Sequence, residues 1–375
     1  MSTRRPGVGA WIRYGDRLAD GEIEFAAAHY RTAILQPWER EAAARLKDAR
    51  PDMTVLGYRC LSSVRVFEPP ERRASGLGYE RARDAGWIAR RGDGELVEWS
   101  TYPGHLQARV WDPGYRRAWA EEVTASLEGT AFDGVMVDND VFDDYYDLDL
   151  PSIAAADPSA PATTEGLREA LGGLVAEAGE SLRGAGRLLV PNLAEARREP
   201  GRWAAHAAWG GGFDECWLGW GGEDLFDEAT CLEQADQLDG PGIGILRTPA
   251  GGSGPGFDGS PQGLFGLAAF WVLGGGADHL SWCATGHDDY SRTPWFPAMD
   301  ADLGAPLGPA RHRGRAWRRD FEGGTAAVVL DDRRGATVTL PRGSVRPGPA
   351  GRPDGDRLPR RLRLGPHEGV LALAR

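Results

Sequence analysis

Short apolar runs alternate with longer stretches whose apolar residues recur at helical spacing over the first three quarters of the chain. Residues 8–13 read as a strand and 22–29 as a helix. A second strand at 32–36 is closed by Pro37, a helix follows over 38–50, and a third strand covers 54–58. Residues 113–127 carry an early proline and predict a helix, and 132–137 predict a fourth strand. The rhythm continues with helices at 165–182, 200–208, 224–238 and 262–273. Each precedes a strand, at 187–190, 213–218, 242–246 and 279–283. Such alternation implies a parallel sheet with helical crossovers. Eight such units fit an α/β fold of the (β/α)8 TIM-barrel type better than an open doubly wound sheet.

Two segments break the rhythm. Residues 62–110 are too long for a bare loop and are rich in aromatics, including Trp87, Trp99 and Tyr102. Following the third strand, they are expected over the C-terminal face of the barrel, with Gly92-Asp93-Gly94 as a hairpin tip. From about Arg315 the helical pattern ends, and strands at 325–330, 336–340, 361–364 and 369–374 predict a small β-domain. The expected division is a barrel over 1–312 and the β-domain over 313–375.

Composition narrows the function classes. The chain has 375 residues and a net charge of −12, a balance that disfavours general binding to nucleic acid or anionic membranes. Lys47 is the only lysine, and it lies in a helical segment away from the expected barrel mouth. Schiff-base and pyridoxal-phosphate chemistry therefore have no lysine to use. Cys60, Cys216, Cys231 and Cys283 form no C-x-x-C pair and read as small buried hydrophobes rather than metal ligands. No apolar window is long enough to span a membrane, and no signal peptide is visible. The expectation is a cytoplasmic protein, unless a leader has been removed.

The sharpest segment is Phe132-Asp133-Gly134-Val135-Met136-Val137-Asp138-Asn139-Asp140, in which an apolar strand runs straight into acids. Barrel strands end at the face where active sites are built, so Asp138, and after it Asp140, are candidates there. Asp133 sits at the opposite end and reads as a turn residue. The F-D-G-x-x-x-D-N pattern resembles that of bacterial TIM-barrel glycoside hydrolases. The closest resemblance is to hypothetical glycosyl hydrolase family 15 and the related endo-α-1,4-polygalactosaminidase-like barrels. Gly86-Trp87-Ile88 with the 92–94 turn, Trp111-Asp112-Pro113-Gly114-Tyr115-Arg116, and Arg318–Gly324 with the apolar strand after it are similar to elements of the same family. The resemblance spans roughly residues 8 to 340.

Glycoside hydrolysis needs two carboxyl groups, roughly 5–5.5 Å apart for retention and roughly 6.5–9.5 Å for inversion. The resemblance implies Asp138 as one of them and an acid after the sixth strand as the other. In Gly212-Phe213-Asp214-Glu215-Cys216-Trp217-Leu218-Gly219, Asp214 matches Asp133, which puts Gly219 where that acid is expected. Glu215 reads as too low in the strand to reach substrate. Glu223 on the following turn is then the candidate acid, and Asp224 the N-cap of the next helix.

The remaining candidates are substrate contacts. They are Arg13 and Tyr58 at the ends of strands one and three, Asn192 after strand five, and Asp288 after strand eight beside His287 and Asp289. Trp111, Trp217, Trp220 and Trp282 lie near strand ends, where an indole can stack on the apolar face of a sugar. No metal or cofactor is expected, and the expected partner is a carbohydrate. Gly254–Gly259 matches G-x-G-x-x-G but begins well after its strand, which favours a lid over a phosphate loop. Ser253 and Ser260 lack a nucleophile-elbow context. Two alternatives stand beside the hydrolase: an inactive carbohydrate-binding barrel, favoured by Gly219, and a phosphosugar isomerase or lyase, favoured by the glycine loop.

Overall fold

The computed structural model describes residues 7–221, 224–249 and 261–375. Eight parallel strands make one sheet: β1 (Gly9–Arg13), β2 (Tyr30–Leu35), β3 (Thr54–Cys60), β4 (Gly134–Asp138), β5 (Leu188–Pro191), β6 (Gly211–Asp214), β7 (Ile243–Pro249) and β8 (Leu280–Thr285). The hydrogen-bonded order is β5-β4-β3-β2-β1-β8-β7-β6. Parallel bridges from Leu189 to Gly210 and from Asn192 to Phe213 bring the two outer strands together and nearly close the barrel. Crossovers are made by α1 (Glu22–His29), α2 (Arg40–Ala49), α3 (Pro113–Ser126), α4 (Thr164–Gly184), α5 (Arg202–Ala207), α6 (Glu228–Ala235) and α7 (Pro261–Gly274). The TIM barrel implied by the alternation is the fold of the chain.

Side chains alternate across each strand with period two. Ile12, Ile34, Leu56, Met136, Phe213 and Ile245 point inward and fill the barrel. Their neighbours Trp11, Val55, Val135, Val137 and Leu246 point outward and pack in the larger core shared with the helices. The four cysteines are buried and free of disulfides. Among the described residues no helix is long and apolar enough to cross a membrane.

The sixth strand differs from its expected form. It ends at Asp214, not at residue 218. Asp214 accepts a hydrogen bond from the Cys216 N–H at 3.1 Å, which turns the chain out of the sheet. The apolar run that follows is a buried turn: Leu218 takes a left-handed conformation (φ 68°), and its N–H donates to the side chain of Gln234. Gly219–Gly221 then pairs antiparallel with Asp224–Leu225. Asp224 is therefore a strand residue, and the cap of α6 is Asp227, which accepts from the Thr230 N–H at 2.9 Å. Glu223 and the 251–259 loop, including Ser253, lie outside the described residues, as does Ser260.

The insertion after β3 folds on itself. Ser63–Arg65 pairs antiparallel with His105–Gln107, and a bridge between Arg90 and Leu96 flanks the 92–94 turn. The tail forms a separate antiparallel sheet of β9 (Arg311–Arg313), β10 (Ala316–Phe321), β11 (Gly324–Val329) and β12 (Glu368–Leu373), with a two-stranded ribbon, Ala336–Thr339 and Arg361–Leu364, beside it. Strands β11 and β12 pack on α7.

Lys47 lies at the closed end of the barrel. Its Nζ donates to both Asp133 oxygens at 3.0 Å and to the Met53 carbonyl at 2.9 Å. Asp133 also accepts from the Val55 N–H at 2.8 Å, so it clasps β3 to β4 rather than forming a turn of its own. Both side chains are partly exposed, which limits what the pair contributes. Lys47→Met is expected to lower stability by about 1–2 kcal/mol, read as a lower urea midpoint at unchanged denaturant slope.

Candidate active site

The C-terminal ends of the strands open into a cavity of about 490 Å³. Its floor is built by the same inward alternation that fills the barrel. In β4 the inward position after Met136 is Asp138. In β6 the inward position after Phe213 is Glu215, one residue beyond the end of the strand. Because β6 stops early, Glu215 stands at the mouth and not inside the sheet.

One side chain holds the two acids. The Asn192 amide nitrogen donates to Asp138 Oδ1 at 3.0 Å and to Glu215 Oε2 at 2.7 Å. Asn192 is placed by continuation of the parallel ladder, since its own N–H donates to the Val137 carbonyl at 2.8 Å. Its Oδ1 is buried and has no partner among the described residues.

Asp138 accepts two further hydrogen bonds, from the Asn139 N–H at 2.8 Å and from the Tyr58 hydroxyl at 2.9 Å. Asn139 adopts a left-handed conformation (φ 68°), which asparagine tolerates better than most residues. Arg65, from the insertion, donates to the Tyr58 oxygen at 3.0 Å. Glu215 accepts from the Tyr290 hydroxyl. Its backbone carbonyl is held by Arg247 at 3.0 Å, a fully buried inward side chain of β7 that also binds the carbonyls of Trp220 and Thr285 at 2.7 Å.

The two carboxyl groups differ in surroundings. Burial raises the pKa of Glu215, and the negative charge of Asp138 raises it further. The hydrogen bond from Tyr290, the charge of His287 and the bond from Asn192 pull the other way without reversing the shift. Asp214, wholly buried on the outward side of β6 against Gln234 of α6, is pushed up to about 7 by desolvation.

Aromatic rings make the walls. Tyr14 stacks on Tyr58 at 4.3 Å between ring centroids, and Trp99 stacks on Tyr146 at 3.7 Å. Trp220 contacts Tyr145 and His287 edge to face. At the rim the Tyr102 hydroxyl donates to Asp288 at 3.0 Å, joining the insertion to the loop after β8. Glu215, His287 and Asp288 bring one donor atom each within 4.8 Å of one another, the spacing a metal ion would need. Both Glu215 oxygens are already engaged by Tyr290 and Asn192, so we assign no metal there.

Of the residues singled out in the sequence, Tyr58, Asp138, Asn192, Trp220 and Asp288 line this cavity. Asp140 borders it, but its carboxylate turns away into a buried ion pair with Arg202 at 2.7 Å and a bond to His206. Arg13 is buried, is engaged by Glu22 and by the carbonyls of Asp16 and Arg17, and does not line the cavity. Trp282 sits at an outward position and donates to Thr248 in the shell between strands and helices. Trp217 is fully buried in the turn after β6, and the Trp111 indole donates to Asp157. None of these three indoles lines the cavity. Reasoning from sequence missed Glu215, Tyr290, Arg65 and the Trp99–Tyr146 stack. The parity of Phe213 and Glu215 was the available signal for the first of these.

The sequence matches hypothetical glycosyl hydrolase family 15 over residues 47–325. The chain belongs to that family. It is a TIM-barrel glycoside hydrolase. Among solved structures it is similar to a noncanonic maltogenic α-amylase, AmyB from Thermotoga neapolitana, at 9% identity and a TM-score of 0.53, covering 97% of each chain. It is also similar to a mutant of Kfla1895 in complex with isomaltose, at 13% identity and a TM-score of 0.51, covering 100% of this chain and 62% of that one. An α-amylase from Geobacillus thermoleovorans complexed with acarbose matches at 10% identity and a TM-score of 0.49, over 99% of both chains. For the two with TM-scores above 0.5, the likeness at these identities concerns the fold alone. No curated protein matches the sequence.

Asp214 and Glu215 hold their protons more tightly in the folded chain than in the unfolded one. Between the ordinary carboxylate range near 4 and the folded value, about 7 for Asp214, the folded state binds more protons. Stability therefore falls as pH rises through that window. Urea unfolding between pH 4.5 and 7.5 (values of about that span suffice) should show this decline, and Asp214→Asn should flatten it.

Proposed function

We propose that this hydrolase acts with retention of configuration, with Asp138 as nucleophile and Glu215 as general acid and base. The observation that carries the reading is the Asn192 amide bound to both carboxyl groups. Two bonds of 3.0 and 2.7 Å from one nitrogen keep the near oxygens within about 6 Å of each other, which supports the close pairing of roughly 5–5.5 Å that retention uses.

Asp138 accepts three hydrogen bonds, which suits an ionised nucleophile. Glu215 is buried beside that charge, which favours its protonated form. In the first step Glu215 gives its proton to the glycosidic oxygen while Asp138 attacks the anomeric carbon. The bond to the leaving sugar breaks, and a glycosyl ester forms on Asp138. The ester carries no negative charge, so one cause of the raised Glu215 pKa disappears. Glu215, now ionised, takes a proton from water, the water oxygen attacks the anomeric carbon, and the Asp138 carboxylate is released.

The substrate is a carbohydrate, held against the aromatic walls by its C–H faces. The unpartnered Asn192 Oδ1 is placed to accept from a sugar hydroxyl. Residues 1–312 would carry the chemistry and 313–375 would form an accessory domain. With Glu215 at the mouth, Gly219 no longer argues for an inactive carbohydrate-binding barrel. The glycine loop behind the isomerase or lyase reading lies outside the described residues and lends it no support.

A glycan screen that reports binding and product release tests the assignment. Asp138→Asn should lower kcat by roughly a thousandfold or more while ligand binding persists. Glu215→Gln should lose roughly 10²–10⁴-fold on sugars with poor leaving groups and far less on a dinitrophenyl glycoside, which needs no acid. Proton NMR of the first product formed should show the anomeric configuration of the substrate. Inversion, or full activity in Asp138→Asn, would sink the reading.

The hydroxyl of Tyr290 lowers the Glu215 pKa, so Tyr290→Phe should raise it. Activity that requires protonated Glu215 is lost as pH rises through that pKa. The alkaline limb of kcat/KM should therefore move to higher pH in the variant.

A further inference from the structure

Strand β1 contributes no acid, yet it puts a side chain at the mouth of the barrel. Ala10 and Ile12 are inward residues of β1. The next inward position, one residue past the end of the strand, is Tyr14. Glu215 stands in the same relation to β6. Tyr14 lines the cavity together with Asp138 and Glu215. Its ring packs against two others, with centroids 4.3 Å from Tyr58 and 4.7 Å from Tyr290. Those are the two tyrosines whose hydroxyls donate to Asp138 and to Glu215.

The backbone at Tyr14 is fixed as well. The Gly15 N–H donates to the Tyr290 carbonyl at 2.9 Å, and the Gln36 side chain donates to the Tyr14 carbonyl. A Cβ at Gly15 would stand 2.8 Å from the Ser291 nitrogen and 2.9 Å from the Tyr290 carbonyl carbon, so only glycine permits this approach. The hydroxyl is the one part of Tyr14 left over. Tyr58 and Tyr290 spend their protons on the acids, whereas the Tyr14 hydroxyl makes no hydrogen bond to any described residue. Burial first, then Tyr290, Asp138 and Glu215, push its pKa well above that of a free phenol, so it keeps its proton to donate. A hydroxyl without a partner gives the folded chain nothing, and phenylalanine would fill the same stack.

We propose that Tyr14 is a further catalytic residue, whose hydroxyl bonds a hydroxyl of the sugar at which the glycosidic bond breaks. The inference rests on the hydrolase reading, with Asp138 and Glu215 as the carboxyl pair. The anomeric carbon has to lie between those two groups for one to attack and the other to protonate. That brings the reacting sugar to the wall on which Tyr14 packs against both supporting tyrosines. A phenol held this rigidly loses little freedom on meeting the sugar, so the bond it makes is available in the transition state.

The test uses the full chain with dinitrophenyl glycosides of glucose, galactose and the corresponding amino sugars, in both anomeric forms. On the glycoside cleaved by the wild type, Tyr14→Phe should lower kcat roughly ten- to a hundredfold and move KM far less. Its urea midpoint should not fall, because no protein partner is lost. Both limbs of the kcat/KM pH profile should stay in place, unlike those of Tyr290→Phe, because Tyr14 bonds neither acid. Tyr14→Leu, which removes the ring too, should lose both activity and stability. The proposal is overturned if Tyr14→Phe keeps kcat within about twofold of the wild type, which would leave the ring as the only part that matters. A lower urea midpoint, or a displaced pH limb, in Tyr14→Phe overturns it as well, as does a wild type that cleaves none of these glycosides. Asp138→Asn run alongside separates the two readings. Its full activity would sink the hydrolase assignment, whereas its inactivity beside a fully active Tyr14→Phe would sink the role of Tyr14 alone.

Discussion

The site turns on one amide nitrogen shared by two carboxyl groups. Held that close in a buried setting, the charge of Asp138 adds to burial in raising the pKa of Glu215. Asp138 has a backbone N–H, a tyrosine hydroxyl and the asparagine amide. Glu215 has the same amide, a tyrosine hydroxyl and deeper burial. Burial comes first among the causes that raise Glu215 and the charge of Asp138 second, so the proposed asymmetry of roles follows from surroundings, not from any difference between aspartate and glutamate as acids.

That geometry depends in turn on strand length. β4 runs one inward position further than β6, and Glu215 reaches the level of the cavity only because the chain leaves the sheet at Asp214. The turn that releases it is fixed from three sides. Asp214 binds the Cys216 N–H, Gln234 binds the Leu218 N–H, and Arg247 binds the Glu215 carbonyl. Arg247 is a buried cation whose contacts are to carbonyl and hydroxyl oxygens, not to a carboxylate. Such burial is costly without good geometry. Here the cost is offset by tying the ends of β6, β7 and β8 to the residues that form the cavity wall.

The barrel was legible in the sequence because each strand is an apolar run with a helix-forming segment after it, and period decides between the two. Asp138 was legible for the same reason, as an acid that ends an unbroken strand. Glu215 was not. Cys216, Trp217 and Leu218 continue the apolar run past it, and a buried turn has the same composition as a strand. Matching Asp214 to Asp133 moved the expected acid to Gly219, and reading the strand four residues too long set Glu215 too low in it. The tryptophans misled for a related reason. An indole near a strand end can face either side of the sheet, and Trp282 falls on the outward parity while Trp220 lies beyond the strand altogether. Arg13 is at a strand end but on the outward parity of β1, with Trp11, and its guanidinium closes a loop through Glu22, a partner that spacing alone does not reveal.

The insertion shows where selection among substrates can be built without disturbing the chemistry. Both acids and their amide come from barrel strands or from the residue just past them, so they inherit the rigidity of the sheet. Arg65, Trp99, Tyr102 and His105 come from the segment after β3 and reach the cavity from above. Tyr102 meets Asp288 from the opposite loop and bounds the opening. Under the proposed roles, Arg65 reaches the chemistry through Tyr58, whose hydroxyl it supplies with a donor, and Ser62 reaches it through the Asn139 carbonyl. A change in the rest of the insertion alters the shape of the opening while the carboxyl pair keeps its spacing. A change at Arg65 reaches Asp138 through a single hydroxyl. Under the proposed roles, the boundary between recognising a sugar and breaking its bond runs through Tyr58.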